Sequence, residues 1–87
     1  MHAVVVRVTI NDEQSADRAL REDVVPRVSQ APGFVAGYWT RKGNNGLSMV
    51  VFESEDEANQ ASERVRSGMP DAVTLEDMEV REVAAHA

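Results

Sequence analysis

The fold is decided by residues 34–52, FVAGYWTRKGNNGLSMVVF. Two runs rich in aromatic and β-branched residues, 34–42 and 47–53, flank the segment Gly-Asn-Asn-Gly at residues 43–46. Such runs favour strands, and Gly and Asn accept the positive φ angles of tight hairpin turns. The segment therefore predicts a β-hairpin, with a two-residue loop at either 44–45 or 45–46.

Either loop gives the hairpin the same parity, because opposed residue numbers then add to an odd value. Even-numbered positions of the second strand therefore share a face with odd-numbered positions of the third. One face is predicted to hold six residues: Phe34, Ala36, Tyr38, Leu47, Met49 and Val51. The other is predicted to hold five: Val35, Gly37, Trp39, Val50 and Phe52. Both faces of the predicted sheet are thus apolar.

The segment before the hairpin predicts a strand and a helix. Residues 3–10 alternate β-branched side chains and predict the first strand. Apolar residues then recur every four positions from Asp12 to about Ala31, which predicts a helix with an N-cap at Asn11. Pro26 lies inside this pattern and is expected to kink or split the helix near Val25.

After the hairpin, the sequence predicts a second helix and a last strand. Ser54 and Glu57 form a capping box, and the helix is expected to end at Gly68. Residues 73–83 predict an acidic edge strand. The order βαββαβ predicts an α+β, ferredoxin-like fold with a four-stranded antiparallel sheet and two helices on one face. Residues 1–87 are expected to form one domain.

Two helices cover only one face of a sheet, so the other face is left bare. The second helix presents the small residues Ala58 and Ala61, which need large partners such as Trp39 and Phe52. Gly37 is expected to let a helix approach. We therefore assign to the helix side the residues Val4, Val6, Val8, Val35, Trp39, Val50 and Phe52. The bare side then holds Val5, Arg7, Phe34, Tyr38, Leu47, Met49 and Val51, and we expect it to be the interface of a homodimer.

The charge and composition of the chain limit the classes of partner that it is expected to bind. With 9 basic and 15 acidic residues the net charge is −6, which disfavours nucleic acid and anionic membrane surfaces. We expect no signal peptide, and no apolar run reaches the ~20 residues that a transmembrane helix needs. The absence of cysteine fits a cytoplasmic protein. His2 and His86 lie at the chain ends without further ligands, so we predict no metal site and no cofactor.

The chain resembles the dimeric α/β-barrel superfamily, particularly its small antibiotic-biosynthesis-monooxygenase-like members. The resemblance covers essentially the whole chain. It rests on residues 31–34, Ala-Pro-Gly-Phe, on Gly-Tyr-Trp at 37–39, and on Val-Phe-Glu-Ser at 51–54. It implies two sheets packed face to face and a ligand cleft in each subunit between sheet and helices.

The resemblance also implies cofactor-free oxidation, but the polar residues of the enzymatic members are not matched. Their strand-one Asn corresponds to Val6 here, their strand-three Trp corresponds to Phe52, and residues 55–67 contain no histidine. We therefore expect a protein that binds or oxidises a small apolar or aromatic molecule. The alternative is a non-catalytic accessory or regulatory dimerisation module with a filled core.

The candidate pocket residues are Trp39, Phe52, Val6, Val50 and Arg41. Trp39 and Phe52 either line an aromatic pocket or fill the core. Arg41 either receives an anionic or carbonyl group at the pocket mouth or is an exposed arginine at a strand end. Arg7, on the bare side, is expected to pair with a carboxylate, either Glu76 or Glu79 of the edge strand or one from the second subunit.

Overall fold

The computed structural model describes residues 1–87 and confirms the predicted α+β, ferredoxin-like fold. Four antiparallel strands lie in the order β2-β3-β1-β4. The elements along the chain are β1 His2–Ile10, α1 Glu13–Ala19, a π-helical turn Leu20–Val24, α2 Val25–Ser29, β2 Phe34–Lys42, β3 Asn45–Phe52, α3 Glu55–Ser67 and β4 Val73–Glu82. The pieces from Glu13 to Ser29 follow one another directly, and together they are called the N-terminal helix below. No helix has the length and apolar character needed to span a bilayer.

The hairpin turn lies one residue earlier than the nearer of the two predicted positions, 44–45, and two residues earlier than the other, 45–46. Lys42 pairs with Asn45, so the two-residue loop is Gly43-Asn44. Gly43 has a φ of +61° and Asn44 has a negative φ, which is the pattern of a type II′ turn with glycine first. The pairs Tyr38–Met49 and Gly37–Val50 still add to an odd number, so the predicted parity of the faces is confirmed.

A β-bulge at the start of β2 overturns two face assignments. Phe34 pairs with Phe52 and Ala36 with Val51, so Val35 is the extra residue. A bulge shifts the alternation by one position. Phe34, predicted on the bare side, instead packs against the core, with its ring edge-on to Phe52 at a centroid distance of 6.3 Å. Val35, predicted on the helix side, is 45% exposed.

A second bulge lies in β4. Arg7 pairs with Asp77 and Val8 with Leu75, so Glu76 is the extra residue there. β2 and β4 are the two edge strands of the sheet, and each therefore carries one bulge. The central strands β1 and β3 are paired in register along their whole shared length, from His2–Phe52 to Thr9–Asn45.

The N-terminal helix is interrupted where Pro26 predicts. The backbone N–H of Val25 donates to the carbonyl of Leu20, five residues back, and so closes a π-helical turn. Pro26 has no N–H of its own and its ring crowds the carbonyl four residues earlier, so the preceding turn widens. The predicted cap was one residue too early. Asp12, not Asn11, accepts the bond from the backbone N–H of Ser15.

The helix α3 is closely packed on the sheet. Ser54 caps it by accepting from the Glu57 N–H, as the capping box predicts, while the Glu57 carboxylate accepts from the Ser54 hydroxyl and not from the Ser54 backbone N–H that the box would use. Ala58 and Ala61 are buried in one cluster with residues of β1 and β3: Val4, Val6, Val50 and Phe52. This cluster is the core of the protein, and it confirms the helix-side assignment of those four strand residues.

Candidate ligand cleft and the bare sheet face

A cleft of about 650 Å³ lies between the helices and the helix side of the sheet. Its floor consists of apolar side chains from the central strands, among them Val4, Val6, Val8 and Val50. Its walls come from the N-terminal helix and from the C-terminal half of α3 with the segment that follows it. The cleft is open to solvent. The five predicted pocket residues, Val6, Trp39, Arg41, Val50 and Phe52, all line it.

The space exists because the N-terminal helix packs only loosely on the core, which it contacts through the partly buried Val28. No residue in α1, the π-helical turn or α2 is buried, whereas α3 buries Ala58 and Ala61. Leu20 and Val24 line the cleft without packing against the core cluster, whereas Val28 both lines the cleft and packs partly against that cluster. The wide turn at residues 20–24 therefore coincides with the middle of the cleft wall.

Trp39 lies on the helix side of β2, and its indole ring folds back over Gly37. A Cβ placed on Gly37 would lie 2.7 Å from the ring atom Cη2 of Trp39, closer than side-chain atoms approach one another. Gly37 thus makes room for the indole ring, not for a helix as the sequence suggested. Trp39 is half-buried, and it packs against the core on one side while it lines the cleft on the other.

Arg41 lies at the mouth of the cleft and joins β2 to α1. Its guanidinium contacts the Asp17 carboxylate directly and lies 3.4 Å from a Glu13 carboxylate oxygen. Both carboxylates come from α1, so the pair fixes the start of the N-terminal helix to the end of β2. Neither of the two roles predicted for Arg41 includes this ion pair with α1. A strand-end arginine in the sequence does not reveal where a helix will lie.

Three further arginines, which no motif in the sequence marks as pocket residues, line the same cleft: Arg21, Arg27 and Arg64. Arg27 pairs with Asp23 at 3.5 Å and donates to the Gly68 carbonyl at 3.4 Å, which links α2 to the end of α3. Arg21 and Arg64 are each adjacent in sequence to an apolar cleft residue, Leu20 and Val65. That adjacency was the available signal for placing them at the edge of the apolar stripe.

The opposite face of the sheet is covered by nothing within the chain. Tyr38 is 68% exposed, Leu47 47% and Met49 46%, while Val5 and Val51 between them are partly buried. These five residues lie on adjacent strands in register: Val5 pairs with Met49, and Met49 pairs with Tyr38. They are called the bare face below.

Arg7 lies at one end of the bare face without an ion pair. It sits between Leu47 on β3 and Asp77 on β4, and no carboxylate lies within 4 Å of it. The predicted partners within the chain are engaged elsewhere. Glu76 accepts from the Thr9 hydroxyl at 3.1 Å, and Glu79 pairs with Arg81 at 2.9 Å. The intrachain pair predicted for Arg7 is therefore wrong, and a partner in a second subunit stays a prediction.

No group of three or more His, Cys, Asp or Glu side chains lies close enough together to hold a metal ion. The histidine His2 lies in β1, with its Nε2 atom 3.7 Å from a Glu55 carboxylate oxygen at the start of α3.

Known proteins resemble this chain in structure but not in sequence. No protein-family model matches the chain, and no curated protein matches it in sequence. Among solved structures, a dimeric ferredoxin-like protein from an uncultured marine organism is similar over 100% of this chain and 98% of its own, with a TM-score of 0.64 and 10% identity. The fold is ferredoxin-like.

Two further solved structures share the ferredoxin-like arrangement. Protein Atu4242 from Agrobacterium tumefaciens has a TM-score of 0.63 and 12% identity, with 97% of this chain and 94% of that one aligned. MupZ from Pseudomonas fluorescens has a TM-score of 0.65 and 14% identity over 91% of this chain. The chain spans 65% of the length of MupZ. At these identities the likeness establishes the fold.

Proposed function

We propose that this protein binds a small, largely apolar molecule in the cleft between the N-terminal helix and the sheet. The observation that carries the proposal is the cleft itself, about 650 Å³ in volume with an apolar floor and an opening to solvent. Ligand sites in proteins are typically about 300–1,000 Å³, largely apolar, with a few polar groups that fix orientation. A filled core would instead require buried residues in the N-terminal helix, and none is present.

The resemblance to cofactor-free monooxygenases extends this proposal to oxidation of the bound molecule. The ionisable side chains that line the cleft are Asp17 and four arginines, and no His, Cys, Lys or Tyr is among the lining residues. The cleft can therefore hold a ligand by its shape and by contact with the aromatic side chain of Trp39, but it has few groups for acid–base catalysis. Binding is the function that this lining supports best.

The binding proposal is tested by native mass spectrometry of protein purified from its own host. We expect a retained small molecule, which denaturation releases. Ala16→Phe places a ring inside the cleft and should abolish retention, whereas Ala19→Phe on the same helix, outside the cleft lining, should preserve it. Equal retention in both variants, or none in the native protein, would contradict the proposal. Oxygen uptake on adding the released molecule back would separate oxidation from binding alone.

We also propose that two copies associate through the bare face. Apolar patches of this kind are unusual on monomers, and burying ~800 Å² on each partner is the standard size for a stable interface. A solved structure of the same fold is described as dimeric. The unpaired Arg7 at the edge of the patch gains a partner in this arrangement, from an acidic residue of β4 in the second copy, since β4 presents Asp77 on the same face.

Sedimentation tests the dimer. The native chain should sediment at twice its mass of 9.6 kDa at micromolar concentration. Met49→Asp places a charge in the middle of the interface and should give a folded monomer, whereas Gln60→Asp on the exposed side of α3 should leave the dimer intact. A monomeric native protein, or a dimeric Met49→Asp variant, would overturn this arrangement.

A further inference from the structure

The cleft concentrates positive charge in an acidic protein. The chain has 9 basic and 15 acidic residues, yet four arginines and a single carboxylate, Asp17, line the cleft. A random share of the charged residues would give the opposite balance. The excess therefore belongs to the cleft and not to the protein as a whole.

Two of these arginines are already neutralised. Arg41 is held by Asp17 and Glu13, and Arg27 is held by Asp23 and the Gly68 carbonyl. Each of them joins structural elements that form the cleft walls. Their charges are satisfied within the chain, so they explain the shape of the cleft and leave no net attraction for an anion.

Arg21 and Arg64 are different, because neither has a carboxylate within 4 Å or a hydrogen-bond partner on another side chain. Arg21 has one acidic neighbour one helical turn back, Asp17, but that carboxylate is turned to Arg41. Arg64 has no acidic residue at the helical spacings of three or four, where Gln60, Ala61, Ser67 and Gly68 stand. They lie on opposite walls of the cleft, one on the π-helical turn and one on α3.

We infer that the molecule bound in the cleft carries a carboxylate, which Arg21 and Arg64 hold at the mouth while its apolar body lies on the valine floor. The inference rests on the proposed function and narrows its ligand to an amphipathic carboxylic acid. Guanidinium groups present paired N–H donors that match a carboxylate, and such charge-assisted bonds are about twice as strong as neutral ones. Because neither arginine has a carboxylate partner, their charge is free to attract an anion, although the chain as a whole carries a net charge of −6.

The test compares two probes of nearly equal shape, naphthalene-2-carboxylate and naphthalene-2-carboxamide, by isothermal titration calorimetry on the full chain. The carboxylate should bind about tenfold more tightly than the amide, a difference of about 1.4 kcal/mol. Arg21→Gln and Arg64→Gln should each lose most of that advantage and leave amide binding unchanged. The matched controls are Arg18→Gln and Arg66→Gln, which remove the same charge from the same helical segments outside the cleft lining.

The outcomes separate the two proposals. If both probes bind with equal affinity, the cleft binds apolar molecules and the carboxylate inference is wrong. The inference is also wrong if the control variants reduce carboxylate binding as much as Arg21→Gln and Arg64→Gln, since the effect would then come from overall charge. If neither probe binds the native protein, the cleft is not a site for small aromatic molecules and both proposals are overturned.

Discussion

The helix α3 and the N-terminal helix cover the same face of the sheet, but they contact it in different ways. α3 buries Ala58 and Ala61 directly over Val50 and Phe52, while the N-terminal helix buries no residue along its whole length. Both helices have apolar residues at helical spacing. The difference shows that an amphipathic pattern predicts which side of a helix faces the sheet, but not how closely the helix packs.

Two local features explain why the packing differs. The small residues of α3 let its backbone approach the sheet, whereas the N-terminal helix presents Leu20, Val24 and Val28, which hold it further away. The π-helical turn before Pro26 also interrupts the regular spacing in the middle of the segment. One helix therefore completes the core, and the other forms the wall of a cleft.

The largest effect is expected from enlarging an alanine on each helix. Ala58 is 0% exposed, so Ala58→Leu has no space to enter and should lower the free energy of unfolding by about 2–3 kcal/mol. Ala16→Leu places the same side chain in open cleft space and should change it by less than about 0.5 kcal/mol. Urea unfolding followed by circular dichroism measures both. Equal losses would show that the N-terminal helix is as tightly packed as α3.

A smaller effect is expected from removing the proline that interrupts the N-terminal helix. Pro26→Ala restores an N–H donor and relieves the clash with the preceding turn, so the segment should become regular α-helix and the protein more stable by about 1 kcal/mol. For a domain of this size, that raises Tm by about 5 °C in a thermal scan.

The matched control for Pro26→Ala is Pro32→Ala, which lies in the loop before β2. Outside a helix, replacing proline only frees the unfolded chain, so Tm should fall. A lower Tm for Pro26→Ala would mean that the π-helical turn is stabilised by something other than the proline.

The smallest effect is expected at the ion pair that fixes α1 to β2. Arg41→Gln removes its contacts with Asp17 and Glu13, and since all three side chains are partly exposed, the loss should be below about 1 kcal/mol. Salt screens such pairs, so the native protein should approach the stability of the variant in 1 M NaCl. Lys42→Gln, the adjacent exposed residue without an ion pair, serves as the control. A loss that salt does not reduce would indicate a packing role for the Arg41 side chain.

Much of the fold can be predicted from the sequence by local rules for turns, strand alternation and helix capping. Turn chemistry at residues 43–46 determines the hairpin, and its parity places Tyr38, Leu47 and Met49 on one face and Val50 and Phe52 on the other. The capping box at Ser54 and the alanines that follow place α3. These predictions succeeded because each depends on residues that are close in sequence or on strict alternation.

The wrong predictions of strand faces and of the helix cap come from shifts of one residue along the chain. Nothing in the composition of residues 34–36 distinguishes a bulge at Val35 from regular alternation, so alternation alone places Phe34 and Val35 on the wrong faces. Asn11 and Asp12 are both good cap residues, and only the strand end decides between them. The arginines of the cleft depend on the distance between two helices, which no local pattern encodes.

The two β-bulges have a consequence for how the protein avoids uncontrolled assembly. An open sheet has two edges whose unpaired backbone groups can accept further strands, and repeated addition leads to fibres. In this sheet β2 and β4 are those edges, and the bulges at Val35 and Glu76 interrupt the backbone ladder of each. Edge growth is thereby disfavoured on both sides, and the bare face, which is not part of either edge, is the apolar surface that remains.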